Sequence, residues 1–443
     1  MEKKLAIYGG KPAIDFKAPD ELFTWPILTK EDEDAALDVI RRNAFSGTEI
    51  SIKFENEFAE WIGSKYAITF TNGTMSIMAA MFAVGLGVGD EIICPTKTYW
   101  GSVSQAANFG ATAVFCNIDE HLSMDPDDLE RCITPKTKAI VVVHYNAYPC
   151  DMDRIMAIAK KHNLKVIEDV SHAQGGLYKG KRLGTFGDVG AMSLMSMKSF
   201  AAGELGIFVT DNREMYERAM AFGHYDRNNP KYIVETDYLK PYSYIGLGGV
   251  KARANQVCSA IARVQLKYYD ERCAEIRKAM NYFWSLLDDI PAIKPLRVDE
   301  STGSNMAGFY NPTAVYYPEK LGGLSVDKFC EALNKEGFWT AANANFCLHK
   351  HAFFKTFNLM HTDKPSRIAF NDRPDVIEQD DACDKSAQIY CFSAPWFKKY
   401  DKEVIEAFAA AVRKVVDNYT ELLEDTDAKD AKTSGQWYGK VKF

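Results

Sequence analysis

Residues 187–206 read GDVGAMSLMSMKSFAAGELG. This stretch sets one lysine, Lys198, among Ala191, Met192, Leu194, Met195, Met197 and Phe200. An ammonium in such company is partly desolvated. Burial disfavours the charged form, lowers the lysine pKa and leaves an amine able to attack a carbonyl carbon. Ser193 stands five residues earlier, and a Gly-Glu-x-Gly turn follows at 203–206. Upstream, Val166-Ile167-Glu168-Asp169 is a short apolar run that ends in two carboxylates. Taken separately, a solvated surface lysine and a helix-capping aspartate would look the same. The pattern around them has to decide.

Working outward, short β-rich runs alternate with helical stretches. The runs cover 66–70, 91–94, 112–116, 139–144, 165–168, 190–194 and 206–210. Helical patterns occupy 76–84, 102–109, 126–133 and 153–162. This alternation predicts an α/β fold with a mostly parallel sheet of seven strands sandwiched by helices. The last two runs lie too close for a long crossover, so one strand there is expected to be antiparallel. Before the first run, Thr29 caps a helix with an acidic first turn, and a second helix is expected over 52–62.

The expected organisation is an extended segment over 1–30, a large α/β domain over 31–255, a long linking helix with a small α+β domain over 256–424, and a tail at 425–443. The linking helix carries Val257, Ile261, Val264 and Tyr268 at helical spacing, a stripe read as core packing. A strand over 313–317, a helix over 326–336 and a last helix over 403–423 follow. The tail is charged and expected to be mobile, with Trp437-Tyr438 able to dock.

A chain of 443 residues has room for more than one sizeable core. The net charge of −7 argues against a nucleic-acid or anionic-membrane partner. The N-terminus lacks the apolar core of a signal peptide, and no run reaches the length of a membrane span. The 10 cysteines show no CxxC pairs, a pattern of reduced thiols in a cytoplasmic protein. His349 and His351 form an HxH pair without a third ligand at useful spacing, so no metal is expected.

In open parallel sheets, ligands bind beyond the carboxyl ends of the strands. Four polar groups fall there: Thr71-Asn72-Gly73-Thr74, the stretch 96–102, His144-Tyr145-Asn146, and Asp169-Val170-Ser171-His172. Asn72-Gly73-Thr74 opens a helix, whose N-terminal amides suit a phosphate. Gly-x-Gly-x-x-Gly and P-loop signatures are absent, which removes the dinucleotide and nucleotide readings. Tyr99 or Trp100 offers a ring for stacking on a heteroaromatic. A buried lysine with a strand-end aspartate is what pyridoxal 5′-phosphate (PLP) requires: an amine for a Schiff base, and an acid that keeps the pyridine nitrogen protonated.

At this point the pieces match a family. The segments FENEFAEWIGSKYAITFTNGTMSI (54–77), GLGVGDEIICPTKTYWGSVSQAANFGA (85–111), VVVHYNAYPCDMDRI (141–155), KVIEDVSHAQGGLYKGKRLGTFGDVGAMS (165–193) and KSFAAGELG (198–206) stand in family order. The chain resembles the DegT/DnrJ/StrS aminotransferases, the sugar and cyclitol branch of fold-type I PLP enzymes. The resemblance implies that Lys198 carries the Schiff base and that Asp169 faces the pyridine nitrogen. It places His172 at the cofactor's 3-hydroxyl side, Gly73, Thr74 and Ser193 at the phosphate, and Tyr99 on the ring face. It implies a homodimer whose sites share residues, with Lys251 reaching toward the neighbour's cofactor phosphate. Many members carry Asn at that position, and many have Phe-His-Pro before the lysine, where this chain has Leu194-Met195-Ser196.

The implied reaction moves an amino group from glutamate or glutamine to a keto-sugar, nucleotide-linked, phosphorylated or free, or to a keto-cyclitol. The enzyme would cycle between PLP and its amine form (PMP). Two alternatives remain. A PMP-dependent sugar dehydratase would carry His at position 198, and a PLP-binding regulatory protein would be expected to show a DNA-binding element.

Overall fold

Thr29 begins the regular structure. Its side chain and that of Asp32 close a capping box over α1 (Lys30–Arg41). The computed structural model describes residues 4–342, 345–355 and 383–429. After α2 (Glu49–Ile62) come β1 (Tyr66–Phe70), α3 (Gly73–Ala83), β2 (Glu91–Pro95), β3 (Thr112–Cys116), α4 (Pro126–Leu129), β4 (Thr137–Val143), α5 (Met152–Lys161) and β5 (Lys165–Asp169). A small hairpin of β6 (Leu177–Tyr178) and β7 (Lys181–Arg182) precedes β8 (Val189–Ser193), β9 (Gly206–Thr210) and α6 (Arg213–Gly223).

The seven-stranded sheet has the order β1-β9-β8-β5-β4-β2-β3. Strand β9 alone runs against its neighbours, antiparallel to both β1 and β8. The short link 194–205 explains this: it is a folded loop, closed by Leu194 N to Leu205 O at 2.8 Å, with no length for a crossover. The strands are buried and rich in Val and Ile, as expected of a sheet covered on both faces. Long α7 (Gln256–Ser285) then leads to β10 (Ile293–Pro295), β11 (Thr313–Tyr316), α8 (Val326–Lys335) and β12 (Tyr390–Ser393), the three strands forming an antiparallel sheet. The helix Lys402–Asp417 packs on α7 and α8.

Several local expectations need correction. Residues 102–109 do not form an α-helix but 3-10 turns at Trp100–Ser102 and Ser104–Phe109. The Gln105 side chain occupies the Gly101 carbonyl that an α-helical turn would use. Residues 126–133 form one α-turn, α4, and then the 3-10 turn Glu130–Cys132. On α7, Val257 and Ile261 are only half-buried, and Tyr268 is exposed with its hydroxyl on Glu31. The buried positions there are Gln256, Ser259, Ala260, Ala262, Val264, Gln265 and Tyr269, because α1 and α2 pack closely on that half. The last helix breaks at Asn418, whose side chain takes the Lys414 carbonyl.

The segment 1–30 is not simply extended. It holds 3-10 turns at Ala6–Tyr8 and Asp20–Leu22, buries Leu5 and Leu22, and is tied by Ala6 N and Ala13 N to the carboxylate of Glu336. The tail begins anchored: Ser325 N donates to Ala428 O, and Lys328 pairs with Asp425 at 2.7 Å. Trp437 and Tyr438 lie outside the described residues. Among the described residues no helix is long and apolar enough to cross a membrane.

Candidate active site

The carboxyl ends of β1, β2, β4, β5 and β8 converge on a cleft of about 320 Å³. Asn72, Gly73, Thr74, Thr98, Tyr99, Ser102, Asp169, His172, Ser193, Lys198 and Glu204 all reach its wall. Seven of the eight sequence-predicted site positions thus meet in one place. Lys251 does not line this cleft.

Lys198 sits in the folded loop after β8, with its amide on Met195 O at 2.8 Å and its carbonyl accepting Trp25 Nε1 at 2.9 Å. Trp25 thereby ties the N-terminal segment to the lysine. The side chain is 7% exposed. Burial lowers its pKa to about 8, against the opposing pull of the Asp169 charge. The amine is therefore partly unprotonated near neutrality, as a nucleophile needs.

Asp169 ends β5 and is buried. Its Oδ1 accepts Ser171 N at 3.0 Å, and its Oδ2 accepts Ser102 Oγ at 2.7 Å. These two donated bonds fix the orientation of the carboxylate. His172 is buried, and its Nδ1 accepts Asn146 N at 3.2 Å, which leaves the ring proton on Nε2. Burial, helped by the Lys198 charge, holds this imidazole well below its ordinary pKa, so it stays neutral.

The start of α3 lies against the end of β8. Asn72 caps the helix by accepting Met75 N at 2.9 Å. The helix supplies no carbonyl partner for the first-turn amides of Gly73 and Thr74. A Cβ on Gly73 would meet Ser193 Cβ at 2.5 Å, so only glycine allows this approach. Ser193 Oγ, accepting Met195 N at 3.2 Å, completes an anion cradle beside the helix N-terminus. Tyr99 lines the cleft, whereas Trp100 is 45% exposed.

The donor set fits PLP. It offers an anion cradle, an aromatic face, a hydrogen-bonded carboxylate and a buried amine around one cleft. Residues that the sequence reading did not single out complete it: Ser102 on Asp169, Asn146 on His172, and Tyr310, whose hydroxyl lies 3.4 Å from Lys198 Nζ. Ser102 and Asn146 fall inside polar stretches already visible at strand ends. Tyr310 comes from a turn before β11 that carries no such signal.

Lys251 is exposed and, with Arg253, lines a neighbouring hollow that shares Glu204 with the cleft. Arg253 pairs with Asp226 at 2.9 Å. The histidines of the HxH pair do not converge: His349 Nδ1 contacts Thr96 Oγ1, and the His351 ring stacks on Phe346. The fold does bring together Cys116, Asp128 and Cys132 within 4.8 Å, although the sequence scatters them. The Asp128 carboxylate there is engaged by Arg131 and Asn117.

The family pattern of the DegT/DnrJ/EryC1/StrS aminotransferases matches residues 26–367. A putative L-glutamine:3-amino-2,3-dideoxy-scyllo-inosose aminotransferase of Micromonospora echinospora is 31% identical over 86% of each chain. The GDP-perosamine synthase of Escherichia coli O157:H7 is 38% identical over 52% of this chain and 61% of its own length. The solved aminotransferase of Psychrobacter cryohalolentis superposes with a TM-score of 0.73 at 27% identity, covering 89% of this chain and 99% of its own. On this combined evidence the chain belongs to the DegT/DnrJ/EryC1/StrS aminotransferase family.

Proposed function

We propose that the chain is a PLP-dependent aminotransferase that moves an amino group from glutamate or glutamine to a keto-sugar or keto-cyclitol. One observation carries the reading. A buried lysine with its pKa near 8 shares a cleft with a hydrogen-bonded aspartate and a helix N-terminus. Bound there, the cofactor supplies an aldehyde carbon and a ring that takes up electrons.

The protein's residues divide the remaining work. Gly73, Thr74 and Ser193 would hold the phosphate, Tyr99 the ring face, and His172 the 3-hydroxyl side. Asp169 would keep the proton on the pyridine nitrogen. Lys198 would hold the cofactor when no substrate is present and, once freed, carry the proton between the substrate carbon and the cofactor. Lysine rather than histidine at 198 favours amine transfer over dehydration. The acceptor class follows the relatives, one a GDP-perosamine synthase and another a putative L-glutamine:3-amino-2,3-dideoxy-scyllo-inosose aminotransferase. Exposed Lys251, beside but outside its own cleft, suits a homodimer in which it serves the neighbour's site.

The test is direct. The protein incubated with PLP should turn yellow, borohydride should fix the adduct, and mass spectrometry should place it on Lys198. Lys198→Ala should stay colourless and lose transamination. An adduct on another lysine rejects the reading. The amine-loaded form, challenged with a panel of keto-sugars and keto-cyclitols, then names the acceptor by return of the colour.

A further inference from the structure

The turn before β11 is bent in an unusual way. Ala307, Phe309 and Asn311 all lie in the left-handed region, at φ 43°, 50° and 51°. Non-glycine residues rarely go there, a bulky Phe least of all, and such strain persists only where surrounding contacts over-determine it. Those contacts are present. Trp396 Nε1 donates to Gly308 O at 2.8 Å. Asn311 Nδ2 donates to Asn146 Oδ1 at 3.0 Å, and Asn146 in turn bonds Thr313 and His172. Gly308 lies so close to Ser199, the residue after the lysine, that a Cβ would meet the serine Cβ at 2.7 Å.

The product of this turn is the placement of Tyr310. Its ring centroid lies 4.4 Å from Lys198 Nζ, and its hydroxyl lies 3.4 Å from the same atom. The ring also packs on His172 at 4.6 Å, with Trp396 edge-on behind it at 5.7 Å. We propose that Tyr310 is a positioning residue for the reactive amine, its ring face and hydroxyl holding Lys198 Nζ at the cleft wall whenever that amine is free. The proposal rests on the aminotransferase reading above and adds a residue to it.

The chemistry is simple. An ammonium is attracted to an aromatic face, more strongly when desolvated. The phenol oxygen accepts one of the ammonium's protons. Burial pushes Tyr310 up to about 12, so its hydroxyl stays neutral and can also donate to the unprotonated amine, more weakly than it accepts from the ammonium. Both forms of Lys198 therefore have a partner in one position. The other titratable groups around Nζ are Asp169, His172 and, across the cleft, Glu204. Lys398, behind Trp396, is lowered by burial to about 5 and adds no charge.

The test titrates Lys198 in the full-length chain freed of cofactor. Trace acetylation across pH, read by mass spectrometry of the Lys198 peptide, gives the midpoint of the amine. In the wild type it should lie near about 8. Tyr310→Leu removes ring and hydroxyl together and should lower the midpoint by about one unit. Tyr310→Phe keeps the ring and should fall between the two. Tyr145→Phe removes the hydroxyl of another ring packed on His172, one that bonds Asn345 N and not Lys198, and should leave the midpoint in place. Wild-type midpoints in both Tyr310 variants, or an equal shift in Tyr145→Phe, overturn the proposal. If circular dichroism shows that Tyr310→Leu does not fold, Tyr310→Phe decides alone: a downward shift supports the proposal and no shift overturns it. The measurement needs no bound cofactor, so it stands or falls separately from the adduct experiment.

Discussion

Ser102 Oγ donates a 2.7 Å hydrogen bond to Asp169 Oδ2, and both residues are buried. The serine belongs to the 3-10 turn after β2, the aspartate to the end of β5. The bond fixes the orientation of the carboxylate. Ser102→Ala removes one donor to a buried charge, an interaction worth roughly 1.5–3 kcal/mol. Cofactor affinity should fall about tenfold or more, followed as visible absorbance against added PLP, while the visible colour of the saturated protein survives. Unchanged affinity would show that Asp169 does not depend on this serine.

Lys198 has its pKa lowered to about 8 by burial, so the reactive unprotonated amine gains population as the pH rises through that value. An exposed lysine would require about 10.4. The initial rate at which PLP colours the cofactor-free protein should therefore climb with a midpoint near about 8. A rate still rising steeply above pH 10 would contradict a buried amine.

Gly73 permits α3 to touch the end of β8, and an added methyl would press on Ser193 at 2.5 Å from its Cβ. Ser193 Cα and N would lie at 2.7 and 2.8 Å, so the strain cannot be relieved by a rotamer change. Gly73→Ala should destabilise the protein by about 1–3 kcal/mol and open the anion cradle. Thermal melting should show the first effect. Loss of protection by inorganic phosphate in the same melts should show the second.

Glu168 precedes Asp169 and faces the other way. Its carboxylate accepts the amides of Gly184, Phe186 and Gly187 and pairs with His144 Nε2 at 3.1 Å, fully buried. Glu168→Ala strands these donors and should cost about 3–5 kcal/mol in urea denaturation. A variant as stable as wild type would mean that water replaces the carboxylate.

The βα alternation was legible because each strand is a short buried run and each turn carries its own polar residues. Asp169, His172 and Lys198 were legible for the same reason: each lies at or just after a strand end, where a parallel sheet places its ligand. The resemblance to a known family then assigned roles that spacing left open, such as Tyr99 over Trp100. The stripe on α7 misled, because periodicity reveals that a helix has an apolar side but not which side its neighbours cover. The 3-10 turns at 100–109 were missed because the Gln105 side chain competes for a backbone carbonyl.

The sequence by itself determined the order of strands and helices and the residue types available for chemistry, since both depend on near neighbours in the chain. The tertiary structure alone decided that Ser102 serves Asp169 and that Trp25 and Tyr310 flank Lys198. Trp25 and Tyr310 lie more than 100 residues from the lysine they touch, separated from it by 173 and 112 positions. No local propensity encodes such contacts; they exist only once burial has brought the segments onto one end of the sheet.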